Sequence, residues 1–346
     1  MVSSERLMCP SNVNRILAVA IGGLGDTILF SPVLNALRSQ YTDVQIELLL
    51  ASRLANNAYA SARQLNRTTV LNLNNSFLPI RIARLLLFGF RSRVNGGFDI
   101  GVFATGLNPR LTGLLRLVAG IRRTECAPNP PTYGTDLACN VALARRFEEK
   151  ISEHDVFIPL PEESHVEAKE VLRRHGVSWD ESGIIAVCPS TDLWHRPRWE
   201  LIKLKQVVLR LLRDGFDGKV VVIGTAREGK EWEQAEMEGV QAINLAGKLS
   251  ISASASLLNR CCLALCNDGG LMHVAGTVSC PVVVIMPNAP LSYHPPGDNT
   301  TVIHSRLSCS MACYPRRPKE CKTASCLEDI SVEEVYRACQ KALPES

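Results

Sequence analysis

The stretch Ile16–Leu50, ILAVAIGGLGDTILFSPVLNALRSQYTDVQIELLL, holds the plan of the fold. Arg15–Ile21 (RILAVAI) is an almost unbroken aliphatic run, the pattern of a strand buried on both faces. Gly22, Gly23 and Gly25 then free the backbone to turn, and between Thr27 and Gln40 the residues Ile28, Leu29, Val33, Leu34 and Leu37 recur at helical spacing. Val44–Leu50 (VQIELLL) reads as the next strand. Strand, glycine loop, helix and strand in this order build a parallel, doubly wound sheet.

The alternation continues outward. Phe98–Phe103 (FDIGVF) reads as a strand, Leu111–Ala119 as a helix, Cys126–Gly134 (CAPNPPTYG) as a proline loop, and Ile158–Glu163 (IPLPEE) as a passage between domains. The pattern then restarts with a strand at Ile184–Cys188, a loop over Pro189–Pro197, a helix over Leu201–Leu212 and a strand at Lys219–Ile223. A strand at Ala242–Leu245, a helix over Ser252–Asn259, a strand at Cys262–Cys266, a helix from Gly270 and a strand at Val282–Met286 follow. Ser331 and Glu334 stand in capping-box spacing before a closing helix. At 346 residues the chain exceeds what one core usually organises, and the expected division is residues 1–160 and 161–346. Such a pair of sheets is expected to take ligands at the carboxyl ends of its strands, in a cleft between the halves.

A net charge of +4, scattered lysines and arginines and only 5% aromatic residues argue against nucleic acid, which needs massed basic and stacking side chains. A mild positive bias suits anionic small molecules or an anionic lipid surface. No apolar run reaches the roughly 18 to 20 residues of a membrane span, and no basic stretch precedes an apolar core at the N-terminus. With thirteen cysteines, several in apolar runs (Cys261, Cys262, Cys266, Cys280), the expected compartment is the reducing cytoplasm.

Three segments carry candidate chemistry. In Gly22-Gly23-Leu24-Gly25-Asp26, glycines permit close approach of a ligand to a helix N-terminus; the plain alternative is a tight turn with Asp26 as N-cap. A dinucleotide fingerprint would put its third glycine at Ile28 and a negative charge at Asp26, against the pyrophosphate, so a nicotinamide or flavin enzyme is a distant runner-up. Asp268-Gly269-Gly270-Leu271-Met272-His273 repeats the strand-end arrangement, with an Asp cap and a core histidine as the alternative reading. Pro189–Trp199 offers Ser190, Thr191, Arg196 and Arg198 to a diphosphate, or is a surface loop anchored by Trp194 and Trp199. Gly224-Thr225 with Glu228, and Gly247-Lys248-Leu249-Ser250, are similar loops after expected strands.

Together these segments resemble glycosyltransferase family 9, which includes the ADP-heptose:lipopolysaccharide heptosyltransferases. The opening run from Ile16 to Leu50 is similar to that family's first strand, Gly-Asp loop and helix. NLAGKLSISASASLLNRCCLALCNDGGLMHVAGTVSCPVVVIMP resembles its donor-binding core, with an Asp-x-Gly-x-x-His element at Asp268, Gly270 and His273; FDIGVFATG and IAVCPSTDLWHRPRW lie between in the same order. The resemblance implies the GT-B architecture, two Rossmann-like α/β domains, the N-terminal one on the acceptor side and the C-terminal one holding a nucleotide sugar. It implies inverting transfer of a heptose-like sugar from a nucleotide-sugar donor to a lipopolysaccharide or other glycan or lipid-linked acceptor, with Asp26 as general base, beside Gly22, Gly23 and Gly25. The donor would be held by Ser190, Thr191, Gly224, Thr225, Glu228, Lys248, Leu249, Asp268, Gly269, Gly270, Leu271 and His273, with neither cofactor nor metal.

The chain departs from that pattern at Pro197, where relatives usually carry a lysine two residues before the tryptophan, so Arg196 or Arg198 is expected to substitute. It departs again at Phe103-Ala104-Thr105-Gly106, where relatives often have Asp and Gln. Cys309, Cys313, Cys321 and Cys326 echo a Cys-containing segment of relatives, but their spacing does not match paired zinc ligands, and local packing is the default. Ile80–Phe90 (IRIARLLLFGF) reads either as a basic helix packed on its own domain or as a peripheral contact with the inner membrane face. Two other functions fit the same architecture, a nucleotide-sugar epimerase and a non-catalytic nucleotide-sugar-binding protein.

Overall fold

The computed structural model describes residues 13–51, 53–72, 77–128, 135–190, 198–278, 280–287, 293–307 and 325–344. The chain divides into two compact units, residues 1–159 and 160–346.

In the first unit β1 (Arg15–Ala20), β2 (Gln45–Leu50), β3 (Arg67–Val70), β4 (Phe98–Phe103) and β5 (Ile121–Cys126) form one sheet in the order β3-β2-β1-β4-β5. Every pairing is parallel, with Ile16 opposite both Ile46 and Ile100. Parallel strands need crossovers, here supplied by α1 (Leu24–Gln40), α2 (Arg53–Tyr59), α3 (Leu78–Val94) and α4 (Pro109–Ala119); α5 (Asp136–Ala144) follows β5 and packs on α1. Because β1 is central and covered on both faces, Ile16, Leu17, Ala18 and Val19 are wholly buried, each large side chain contributing roughly 1.5–3 kcal/mol of transfer free energy. Chain direction across the sheet reverses between β1 and β4. Loops at the carboxyl ends of such a pair diverge to opposite faces and leave a crevice.

The second unit repeats the design with α6 (Glu162–Arg174), β6 (Ile184–Cys188), α7 (Leu201–Arg213), β7 (Lys219–Val222), α8 (Ala226–Gln234), β8 (Ile243–Asn244), α9 (Ile251–Leu258), β9 (Leu263–Asn267), α10 (Gly270–Thr277), β10 (Val282–Ile285), β11 (Thr300–Ile303), α11 (Ser325–Glu328) and α12 (Val332–Ala342). Its six strands lie in the order β11-β10-β9-β6-β7-β8, all parallel, so the reversal falls between β9 and β6. Trp199 is fully buried in the core of this unit, its indole N–H donating to the Ile330 carbonyl at 3.1 Å, which is the anchoring expected of it. Ser331 caps α12 by accepting from the Glu334 N–H at 3.1 Å. Among the described residues no helix is long and apolar enough to cross a membrane.

Two local expectations are corrected. The first helix begins at Leu24, three residues before Thr27, and its N-cap is Gly23, so Asp26 is not the cap but the third residue of the helix. At the second Gly-Asp loop the N-cap is Gly269, with no side-chain cap, so Asp268 is not the cap either. In both places flexible glycine lets the chain enter the helix one or more residues away from the aspartate, and the carboxylate is released from the simplest capping role.

Candidate functional site

At the carboxyl end of β1 the Asp26 carboxylate, in the first turn of α1, accepts from the Gly23 N–H at 2.6 Å. A helix N-terminus favours an anion there, and the bond fixes which way the side chain points. Gly22 is required for this: a Cβ on it would stand 2.3 Å from Asp26 Oδ2. A second acid, Asp136, opens α5 and interacts with Asp26. Burial first, and the Asp26 charge second, push the Asp136 carboxyl up to about 6. The pair is held in place by Asn140, whose side-chain amide donates to the Leu29 carbonyl of α1 at 3.1 Å and accepts from the Thr105 N–H, just past β4, at 3.1 Å. Ala104-Thr105-Gly106 thus serves as a backbone strut at the strand end, with the Thr105 hydroxyl donating to the Pro128 carbonyl at 3.1 Å.

In the second unit four loops converge at the carboxyl ends of β6, β7, β8 and β9. Past β6, the Ser190 hydroxyl donates to Glu228 Oε2 at 2.7 Å, and the Thr225 N–H donates to the same oxygen at 2.6 Å. Thr225 and Glu228 close a capping box on α8, fixing that carboxylate. Gly224 sits at φ +155° with room for no side chain, since a Cβ would lie 2.6 Å from Glu228 Oε2 and 3.0 Å from the Ser190 hydroxyl. The loop after β8 docks on it through the Gly247 N–H and the Gly224 carbonyl at 2.7 Å. Past β9, a Cβ on Gly269 would stand 2.7 Å from the Ser190 carbonyl, so the β6 and β9 loops touch backbone to backbone across the switch point. Asp268 is 7% exposed at the start of α10, with Gly270 and Leu271 in its first turn. His273 is buried deeper and packs edge-on against Tyr293, ring centroids 5.2 Å apart.

Ser190, Gly224, Thr225, Glu228 and Gly269 are therefore one constellation, with Gly247 joined to it. Two other expected donor ligands, Lys248 and Arg198, have protein partners of their own. The Lys248 ammonium donates to the Asn244 carbonyl at 2.7 Å and to His175 Nε2 at 2.8 Å. His175 Nδ1 lies 2.8 Å from the Val171 carbonyl, which only accepts, so Nδ1 bears the proton and Nε2 takes the lysine's. Arg198 pairs with Glu231 at 2.6 Å, and Arg227 holds the other oxygen of that carboxylate at 2.8 Å. This ion pair occupies one N–H of the Arg198 guanidinium and fixes the side chain against α8. Thr191, Trp194, Arg196 and Pro197 lie outside the described residues, as do Cys309, Cys313 and Cys321; Cys326 is buried.

Asp136 and Asn140 were invisible as site residues in the sequence. Thr135 followed by an acid marks a helix start, and Thr135 does accept from the Ala138 N–H at 2.9 Å, but nothing local reports that this helix meets Asp26.

Two parallel α/β units, each with its loops gathered at a switch point, define a GT-B protein, and solved structures of that class superpose along the chain. The family 9 glycosyltransferase from Veillonella parvula matches at TM-score 0.75 and 20% identity, covering 96% of this chain and 98% of that one. The Escherichia coli ADP-heptose lipopolysaccharide heptosyltransferase II matches at TM-score 0.69 and 18% identity, covering 95% and 98%. The family itself follows from sequence: residues 140–324 match the model of glycosyltransferase family 9 (heptosyltransferase), and the chain belongs to that family. Lipooligosaccharide heptosyltransferase 2 of Haemophilus influenzae is 30% identical over 129 residues, a segment that spans 36% of this chain and only 37% of that relative.

Proposed function

We propose that the chain is an inverting glycosyltransferase that moves a heptose-like sugar from an ADP-heptose-type donor to a hydroxyl of a lipopolysaccharide or related lipid-linked glycan. The observation that carries this reading is the Asp26 carboxylate, pinned by the Gly23 N–H at the end of β1 and set beside Asp136. A carboxylate so oriented takes the proton of an acceptor hydroxyl as its oxygen attacks the anomeric carbon. Attack comes from the face opposite the nucleotide, so the new glycosidic bond forms as the carbon–oxygen bond to the diphosphate breaks, and the configuration inverts.

In this reading residues 1–160 serve the acceptor and residues 161–346 hold the donor. The departing ADP carries its new charge to the N–H groups at Asp268–Leu271, where the α10 terminus stabilises an anion without a metal. The Ser190–Glu228–Thr225 cluster shapes the same pocket, with Glu228, Lys248 and Leu249 toward the nucleoside. Support comes from the family membership and from the solved Escherichia coli heptosyltransferase with bound ADP, which shares the fold at TM-score 0.64 and 14% identity.

The test is Asp26→Asn assayed with ADP-heptose and a lipopolysaccharide-core acceptor, with and without a chelator. Transfer falls to background while ADP binding is kept, and the chelator leaves the parent enzyme active. Full activity in the variant, or donor consumption without acceptor as an epimerase gives, overturns the reading.

A further inference from the structure

One helix of the first unit is apolar on the wrong side. Leu85, Phe88, Gly89 and Ser92 of α3 are buried, with Gly89 so close to Val118 of α4 that a Cβ would meet it at 2.6 Å. The opposite side of α3 is just as hydrophobic: Ile80, Leu86 and Leu87 are about half exposed, Phe90 is 68% exposed and Val94 is 70% exposed. Leu117 of α4, 67% exposed, extends the patch, and the Arg93 guanidinium joins the two helices by donating to the Leu117 carbonyl. A helix with one apolar face in the core and a second, exposed apolar row flanked by arginines has the pattern of a helix that lies in a membrane surface. At 17 residues α3 is too short to span a bilayer but long enough to lie in its surface.

The charge on this face has one sign. α3 carries Arg81, Arg84, Arg91 and Arg93, α4 carries Arg110 and Arg116, and neither helix contains an acid. Ile80, Leu87 and Val94 are spaced by sevens, as are Arg84 and Arg91, so an apolar row and a basic row run side by side along α3. Beneath that edge opens a cavity of about 610 Å³ lined by Arg15, Arg53, Arg67, Arg84 and Arg91. Its one carboxylate among the described residues, Glu47, is already matched by Arg15 at 3.9 Å and Arg67 at 4.0 Å. Leu87 both lines the cavity and is half exposed, which makes the two features continuous. A second copy of the chain is a poor occupant, because a two-fold contact would press arginines against arginines.

We propose that the α3–α4 face docks the protein on an anionic phospholipid bilayer, with the outward apolar side chains in the headgroup–acyl boundary and the arginine cavity receiving a lipid headgroup phosphate. This does not depend on which sugar is transferred.

Flotation of the full chain with vesicles tests it. Vesicles of phosphatidylcholine mixed with phosphatidylglycerol carry the protein upward at low salt, while phosphatidylcholine alone retains roughly tenfold less. The variant Phe90→Asp/Val94→Asp, which alters only exposed positions, floats roughly tenfold less than the parent with an unchanged Tm. Arg91→Gln weakens binding and flattens its salt dependence. Equal binding to both vesicle types, parent-like flotation of the double variant, or a dimer in light scattering that the double variant abolishes would each overturn the proposal. Asp26→Asn floats like the parent, and the double variant glycosylates a water-soluble acceptor at the parent rate, so failure of the transfer reading is told apart from failure of this one.

Discussion

The two Gly-Asp loops look interchangeable as sequence and differ in one geometric respect. At Gly22–Asp26 the aspartate lies inside the helix, two residues past its first, and accepts from the N–H of the cap; at Asp268–Gly270 it lies before the cap. The first carboxylate is therefore tethered with a set direction, while the second precedes a helix whose N-cap, Gly269, has no side chain to cap it. A fixed carboxylate suits a base, and an open terminus suits a leaving anion. In the proposed function, the side of the cap on which an aspartate falls is what separates the two roles.

Substitutions at matching places in the two loops probe that separation. The largest effect is expected for Asp26→Asn, which lowers kcat by roughly 100- to 10,000-fold with ADP affinity unchanged, read by initial rates and calorimetry. Gly22→Ala comes next: its Cβ collides with Asp26 Oδ2, the carboxylate leaves the Gly23 N–H, and kcat falls by roughly 100-fold with little change in donor affinity. If Gly22→Ala instead weakens ADP binding and spares kcat, the two loops do not divide the work. Gly269→Ala presses on the Ser190 carbonyl and should raise the Kd for ADP roughly tenfold, about 1.4 kcal/mol, while kcat at saturating donor holds.

The smallest effect is at Asp136. Its carboxyl is raised from 3.8 to about 6, above its unfolded value, so its contribution to stability is fully present below about pH 4 and is lost as pH rises through about 6. Asp136→Asn removes that loss, and Tm should exceed the parent's at pH 7 but equal it near pH 4. Equal Tm values for the variant and its parent at both pH 7 and pH 4 would show that the Asp136 carboxyl is not held above its ordinary range.

Much of this was legible locally. The aliphatic run at Arg15–Ile21 and the period of Ile28, Leu29, Val33, Leu34 and Leu37 announce a buried strand and a helix, since solvent exclusion acts on every residue of a central strand and on one stripe of a helix. The helix start was misplaced by three residues because Leu24 and Gly25 carry no marker of the first turn. Arg198 reads as a phosphate ligand in its loop, and nothing near it in sequence announces its ion pair with Glu231 of α8. The apolar period that correctly suggests a helix over Ile80–Phe90 does not say how much of its hydrophobic surface is covered.

Sequence by itself thus determined the element order, the parallel sheets and the glycine–aspartate loops at their strand ends, because these follow from periodicity and backbone freedom within a few residues. Only the tertiary structure decided that Asp136 stands beside Asp26, that Ser190 and Thr225 share Glu228, and that one side of α3 lies bare. Those facts depend on which distant segments meet, and pairwise charge, hydrogen bonding and burial exist only once they do.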